Sequence, residues 1–106
     1  MAGISQTRIR VKPGKTQDLV DYMKSLTSRA EGLNGMFGFG LTITGQDEVT
    51  VFGIYESVAD AESALPVVKE AFADMAKYFA ESPSRDIFEG EWFPIRNKYM
   101  DYLDGK

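Results

Sequence analysis

Residues 36–56, MFGFGLTITGQDEVTVFGIYE, decide the fold of this 106-residue chain. The side chains over 36–44 alternate between large apolar and small or polar types, which is the period of a β-strand, and a second β-rich run covers 48–56. Gly45-Gln46-Asp47 lies between the two runs and supplies the residue types of a tight turn. The stretch therefore predicts a β-hairpin formed by two neighbouring antiparallel strands.

A helical pattern precedes the hairpin. Apolar side chains recur every three or four residues from Leu19 to Leu33, which is the spacing of one helix face. Thr16 is a candidate N-cap, and the glycines and asparagine after residue 31 are typical of a helix end. The pattern predicts a helix from Thr16 to about Glu31.

A second helical pattern follows the hairpin. Ser57 and Asp60 have the spacing of a capping box, with Asp in place of the usual Glu. From Ala61 to Phe79 an apolar face again recurs every three or four residues. Because proline cannot donate a backbone hydrogen bond inside a helix, we expect a break after Leu65 and a new helix starting at Pro66.

Two further strands complete the pattern, one over 4–12 and one over 86–93. The order is then β-α-β-β-α-β, which predicts an α+β, ferredoxin-like fold. In that fold a four-stranded antiparallel sheet carries both helices on one face. We expect this domain to occupy residues 1–93, followed by a C-terminal tail over 94–106.

The third and fourth predicted strands have apolar side chains on both faces. A sheet with one face in water should instead alternate apolar and polar residues along each strand. In the third strand, Val49 and Val51 alternate with Phe52 and Ile54. In the fourth strand, Phe88 and Trp92 alternate with Ile87 and Phe93. Leaving such side chains exposed forfeits roughly 1.5–3 kcal/mol each. We therefore expect a homodimer packed sheet against sheet; the alternative is that the tail folds back over that face.

Two details of the surface follow from strand parity. Arg8 and Arg10 share a face of the first strand, and Glu89 and Glu91 share a face of the fourth, its neighbour in this topology. This arrangement predicts a cross-strand ladder of Arg and Glu side chains. In the tail, the apolar side chains over 99–103 are expected to dock on the partner or on an adjacent surface.

Composition excludes several classes of function. The chain has no Cys and no His, so thiol nucleophiles, zinc–thiolate sites, Ser-His-Asp triads and His-ligated haem are ruled out. A formal net charge of −4 disfavours binding to nucleic acid or to an anionic membrane. Gly14-Lys15-Thr16 lacks the earlier glycine of a phosphate-binding loop, whose position is occupied by Ile9. We expect a cytoplasmic protein with no metal and no cofactor.

Aromatic residues are the remaining functional signal. They make up 12% of the chain, with seven Phe, five Tyr and one Trp. At strand or helix spacing such residues usually form core, but they also line clefts for flat organic ligands. An enclosed cavity of roughly 300 Å³ or more beside Trp92 would favour the second interpretation.

Three segments resemble the antibiotic biosynthesis monooxygenase-like family. They are RVKPGK at 10–15, EGLNGMFGF at 31–39, and FGIYES at 52–57 with Ala59 and Ala61 after it. The resemblance extends over roughly residues 4–93 and implies a dimeric α+β barrel. Family members include cofactor-independent oxygenases of polycyclic phenols and quinols, and haem-degrading enzymes. Many haem degraders carry a His in the helix after the third strand, and residues 61–79 contain none.

The resemblance implies a monooxygenase that needs no cofactor and acts on a small aromatic or quinol-like molecule bound between helices and sheet. The alternative is a non-enzymatic, small-molecule-binding or structural dimer. Asn34, Tyr55, Arg85 and Trp92 are candidate donors toward a substrate anion. The candidate binding residues are Asn34, Tyr55, Phe72, Met75, Phe88 and Trp92; the sequence assigns no catalytic residue.

Overall fold

Four antiparallel strands form the sheet of the computed structural model, which describes residues 1–105 apart from the side chains of Arg96, Asn97, Tyr99 and Leu103. The strands are β1 (Ala2–Arg10), β2 (Met36–Gly45), β3 (Glu48–Tyr55) and β4 (Ser84–Gly90). Their spatial order is β2-β3-β1-β4, and all three neighbouring pairs are antiparallel. The predicted ferredoxin-like fold is confirmed.

Five α-helices and one 3-10 turn accompany the sheet in the part of the chain that the structure describes. They are α1 (Thr16–Lys24), α2 (Thr27–Ala30), α3 (Val58–Ser63), α4 (Leu65–Met75), the turn Ala76–Tyr78 and α5 (Arg96–Leu103). The helix expected from Thr16 to Glu31 is thus divided in two. Ser25 Oγ donates to the carbonyl of Tyr22 at 2.6 Å, and Thr27 Oγ1 donates to that of Lys24 at 2.8 Å. Such local hydroxyl bonds compete with a continuous helix.

The helix break expected beside Pro66 is present but lies one residue earlier, at Ala64, because α3 ends at Ser63 and α4 begins at Leu65 with Pro66 in its first turn. The cap at Ser57 is confirmed. Ser57 Oγ accepts from the backbone N–H of Asp60 at 3.1 Å and donates to the Asp60 carboxylate at 3.0 Å. Thr16, in contrast, is the first residue of α1 rather than its cap.

We expect Ser57→Ala to lower the free energy of unfolding by about 1 kcal/mol, because the N-terminal amides of α3 lose their side-chain acceptor. Urea-induced unfolding followed by circular dichroism measures this. Ser63→Ala is the matched control, since Ser63 is exposed in the same helix. Equal stability of the two variants would contradict a stabilising role for the cap.

The main core lies between one face of the sheet and the helices. Ile9 and Val49 of the strands, with Val11 just after β1, meet Leu19 and Met23 of α1, and Ala71 and Met75 of α4 close the cluster. A second cluster forms around Tyr55, Ala61 and Ala64. The alternation predicted for β1 is confirmed, because Ile9 is fully buried whereas Arg8 and Arg10 are exposed.

The opposite face of the sheet carries an apolar patch that no helix of the main layer covers. Its members, defined here as the open-face patch, are Ile4, Phe52, Ile54 and Phe88, which the register places side by side across β3, β1 and β4. Phe52 is 37% exposed and Phe88 is 49% exposed. Phe52 also packs its ring over Gly40 of β2. The sheet is therefore apolar on both faces at this end.

The predicted Arg/Glu ladder is wrong. Arg8 pairs with Ser84 on the open face, whereas Glu89 lies opposite Gly3 on the face that carries the helices. Arg10 instead forms an ion pair with Glu48, which lies opposite it on the neighbouring strand β3; Arg10 Nη2 is 3.3 Å from Glu48 Oε2. Parity defines a face within each strand, but the register between strands decides which faces coincide.

Strand β4 ends earlier than expected, at Gly90 rather than at residue 93. Gly90 pairs with Ala2, the first residue of β1, so β4 has no partner to continue along. Trp92 leaves the sheet and stacks on Phe37 at the start of β2, with ring centroids 5.9 Å apart. The Tyr99 and Leu103 side chains, expected to dock, lie outside the described residues. None of the described helices is long and apolar enough to span a bilayer.

Candidate ligand-binding site

A cavity lies between the sheet and the helices, and small side chains at the centre of the sheet create it. Ser5 lies opposite Gly53, and Thr7 lies opposite Val51 in the register of β1 and β3. All four line the cavity floor. A Cβ atom at Gly53 would lie 2.8 Å from Ser5 Oγ and 3.1 Å from Cε1 of Tyr55. Ser5 and Tyr55 therefore pack closely over Gly53, and a larger residue there would push them toward the cavity.

Helices α1, α2 and α4 provide the roof, together with the loop after α2. Its side chains are predominantly aliphatic, aromatic or thioether groups, which makes most of the lining apolar. The roof residues are Met23, Leu26, Arg29, Ala30, Leu33, Val67, Val68, Ala71, Phe72 and Met75. Methionine side chains are flexible, so three of them at this site (Met23, Met36 and Met75) allow the cavity to change shape.

The cavity has a volume of about 90 Å³. An open groove of about 610 Å³ runs beside it, between β2 and the helices α1 and α2. The two spaces share Met23, Ala30, Met36 and Phe39 in their walls. The cavity and the larger groove therefore adjoin at these four residues.

Arg85 places a guanidinium group in the cavity wall. It lies on β4 directly opposite Thr7, on the face that carries the helices. Arg85 Nη2 donates to the carbonyl of Ala61 at 3.0 Å. Among the described residues, no carboxylate forms an ion pair with it. A half-buried guanidinium with several unused donors is suited to an anionic oxygen.

Arg29 supplies a second guanidinium from the short helix α2. Its Nη1 lies 3.6 Å from Oδ2 of Asp74 on α4, and Tyr22 Oη donates to the same oxygen at 2.8 Å. Burial chiefly, then the hydrogen bond to Asp74 and its negative charge, raise the pKa of Tyr22 above its ordinary value; Arg29 opposes this. Tyr22 therefore remains a protonated donor at neutral pH and holds Asp74 beside Arg29.

Three of the six predicted binding residues meet at this cavity. Tyr55, Phe72 and Met75 all line it, and Tyr55 is only 2% exposed. Asn34 lies in the loop before β2 and is not part of the lining. The structure thus assembles the predicted residues that come from β3 and α4, but not the others.

Phe88 and Trp92 do not line the cavity between helices and sheet, contrary to expectation. Phe88 pairs with Ile4 on the open face, and Trp92 lies beyond the end of β4 against Phe37. The residue of β4 that faces the helices next to the cavity is Arg85. The criterion of a cavity of roughly 300 Å³ beside Trp92 is not met by this cavity, which is smaller and is not lined by Trp92.

Sequence reasoning missed Ser5, Thr7, Gly53 and Arg29 as lining residues. Ser5 and Thr7 share a parity with Ile9, so the alternation of β1 already placed them toward the helices. The alternation of β1 was therefore sufficient to predict that Ser5 and Thr7 face the helices. No comparable signal existed for Arg29, because its approach to the cavity depends on the break between α1 and α2.

Comparison with family models and with curated proteins finds no match for this sequence. Solved structures do match it. A protein of unknown function from Nitrosomonas europaea superposes with a TM-score of 0.73 at 20% identity, covering 88% of this chain and 94% of its own. A Caulobacter crescentus protein provisionally assigned as an antibiotic biosynthesis monooxygenase gives 0.70 at 18% identity, covering 86% and 91%.

A third similar structure has an activity in its name. SnoaB, a cofactor-independent oxygenase from Streptomyces nogalater, superposes as a variant with a TM-score of 0.68 at 9% identity, covering 90% of this chain and 98% of its own. The chain has the fold of the antibiotic biosynthesis monooxygenase-like proteins. The resemblance predicted from the sequence is thereby confirmed at the level of fold.

Proposed function

We propose that this chain is a monooxygenase without a cofactor, acting on a small phenol or quinol bound in the cavity between helices and sheet. The fold it shares with SnoaB supports this assignment. The observation that carries it is the half-buried Arg85 guanidinium in the wall of an otherwise apolar cavity. Such a wall stabilises a substrate anion while excluding most of the water.

The reaction requires an ionised phenol and molecular oxygen. A guanidinium beside the phenol favours its charged form and so lowers its pKa. The electron-rich ring then reacts with O₂ at an unsubstituted carbon. One oxygen atom becomes the new carbonyl of the quinone, and the other leaves as water with the phenolic proton and the ring hydrogen. The substrate loses four electrons and O₂ gains four, so no other reductant is needed.

The size of the cavity favours a single ring. Its volume of about 90 Å³ is below the roughly 300–1,000 Å³ of typical ligand pockets. It is also below the roughly 150 Å³ of an engineered apolar cavity that binds benzene. Even a single ring therefore requires the lining to move, and Met23 and Met36, which border both the cavity and the groove, are flexible side chains suited to this. A polycyclic substrate would require the helices themselves to move.

A second candidate is a protein that binds the same ligands without turning them over. The described residues that line the cavity include no carboxylate, and the chain has no His. The phenolic proton must therefore leave to solvent, and Arg85 contributes only by stabilising the phenolate that remains. This observation favours a binding protein over an enzyme if the bound phenol stays protonated.

We also propose that two copies of the chain pack through the open-face patch to form a homodimer. Phe52 and Phe88 are each more than one third exposed, and Ile4 and Ile54 lie between them; this apolar surface supports the assembly. Covering them returns the hydrophobic free energy that a single copy forfeits. The absence of a cofactor and a cytoplasmic location stay predictions.

Oxygen uptake tests the proposed activity. With a metal chelator present, we expect the wild type to consume O₂ with a monocyclic phenol or hydroquinone. Arg85→Gln is expected to lower kcat/KM by roughly a hundredfold, which is typical for the loss of an oxyanion donor. Lys69→Gln is the control, because Lys69 is exposed on α4 and its substitution removes one positive charge at a position that does not line the cavity. Ligand binding without oxygen uptake would discard the oxygenase and favour the binding protein.

A further inference from the structure

The charge of the cavity lining contrasts with that of the chain. The chain carries a formal net charge of −4, yet the described residues that line the cavity include two Arg and neither Asp nor Glu. Arg85 is half buried and has no carboxylate partner among the described residues, so its charge is the one that the apolar lining leaves unbalanced. An anionic group from outside the chain would balance it.

The guanidinium groups of Arg85 and Arg29 differ in the partners they already have within the chain. Arg85 makes one hydrogen bond to a backbone carbonyl, which leaves its positive charge uncompensated. Arg29 has a carboxylate partner, but at 3.6 Å, and Asp74 is shared with Tyr22. Both side chains of that ion pair are about half exposed, so the pair is weak. Arg29 is therefore available to a competing carboxylate.

The positions of the two groups indicate where such a ligand would be held. Arg85 belongs to β4 and anchors on α3, whereas Arg29 belongs to α2 and anchors on α4. A single phenolate oxygen satisfies one guanidinium, because each presents a planar fork of donors. A second acidic group on the same ligand would then pair with Arg29 in place of Asp74.

We propose that the ligand of this cavity is a monocyclic phenolic acid, with its ring oxygen at Arg85 and its carboxylate at Arg29. Asp74 competes with the ligand for Arg29, so it sets the preference for acidic over neutral ligands. The position of the ring oxygen rests on the function proposed above. The preference for a carboxylate rests on Arg29 and Asp74 and does not require turnover.

The test compares 2,5-dihydroxybenzoate with the neutral 2,5-dihydroxybenzamide, which has nearly the same shape. Binding is measured by calorimetry at pH 7 without oxygen. We expect the wild type to bind the acid roughly tenfold to a hundredfold more tightly than the amide, the range for a charge-assisted contact. Arg29→Gln is expected to abolish this preference by lowering the affinity for the acid to about that for the amide, whereas Lys69→Gln, away from the cavity lining, is expected to preserve it.

Asp74→Asn gives the opposite sign, which a merely structural role for Asp74 would not produce. We expect this variant to bind the acid about threefold to tenfold more tightly, because Arg29 loses its internal competitor. Lys69→Gln again controls for a change in net charge. Equal affinities for acid and amide, an acid preference that survives Arg29→Gln, or no binding of either compound would overturn the proposal.

Oxygen uptake separates this proposal from the proposed function. An Arg29-dependent preference for the acid with no oxygen consumption would retain the ligand class and remove the oxygenase. Oxygen consumption with neutral hydroquinones and no preference for the acid would do the reverse.

Discussion

Phe88→Glu is expected to convert the proposed homodimer into a monomer. Phe88 is 49% exposed on the open face, opposite Ile4, so a single copy accommodates glutamate there at little cost. A two-fold interface would bury the new carboxylate twice without a partner, at roughly 3–5 kcal/mol each. We expect the dimer dissociation constant to rise by at least about a hundredfold, measured by sedimentation equilibrium.

Leu65→Glu is the matched control for this experiment. Leu65 is 40% exposed, close to the value for Phe88, but it begins α4 in the helical layer. It should leave the dimer intact, and thermal unfolding should show that both variants fold. A wild type that sediments as a monomer at micromolar concentration would contradict the assembly, as would a Phe88→Glu variant that still dimerises.

Local sequence patterns were sufficient for the fold. The alternation around Ile9 and the turn at Gly45-Gln46-Asp47 each act over a few residues, so they could be recognised without knowing the neighbours. The turn places Asp47 at a φ of 56°, a conformation that Asp tolerates better than most residues. Pro66 likewise marks a boundary through its own chemistry. Most elements specified by short-range chemistry were therefore predicted correctly; the exceptions are the Thr16 cap and the break between α1 and α2.

The register between strands that are distant in the sequence could not be predicted from local patterns. The ladder between Arg8 and Glu89 failed because parity leaves the relative orientation of two strands undetermined, and the register paired Glu89 with Gly3. The end of β4 at Gly90 was missed because it depends on where β1 begins, not on the residues after Gly90. The faces assigned to Trp92 and Phe93 depended on the same extension of the strand.

The cavity depends on relations of this kind. A free volume forms only where small residues of separate elements coincide, here Ser5 of β1 and Gly53 of β3. Either residue alone is unremarkable in a strand. The aromatic excess correctly drew attention to Tyr55 and Phe72, since both are large side chains that must pack somewhere near the helices. It carried no information about the two Arg that give the cavity its charge.

Gly53→Ala is expected to weaken ligand binding by roughly tenfold to a hundredfold. The new Cβ would lie 2.8 Å from Ser5 Oγ, 3.1 Å from Tyr55 Cε1 and 3.5 Å from Met36 Cε, so it both occupies the cavity floor and displaces its neighbours. Overpacking of this kind costs typically 1–3 kcal/mol. In the free protein, the smaller backbone entropy of unfolded alanine offsets part of that cost, which keeps the variant folded.

Calorimetry with 2,5-dihydroxybenzoate measures the loss, and Gly45→Ala is the matched control. A Cβ at Gly45 meets Glu48 Cβ at 3.7 Å, an ordinary contact far from the cavity floor. Ala71→Leu fills the same space from α4, so a binding defect in both variants cannot come from one distorted strand. Unchanged affinity in two folded, cavity-filling variants would mean that the ligand binds elsewhere, because about 90 Å³ is already less than an aromatic ring needs and either added side chain reduces it further.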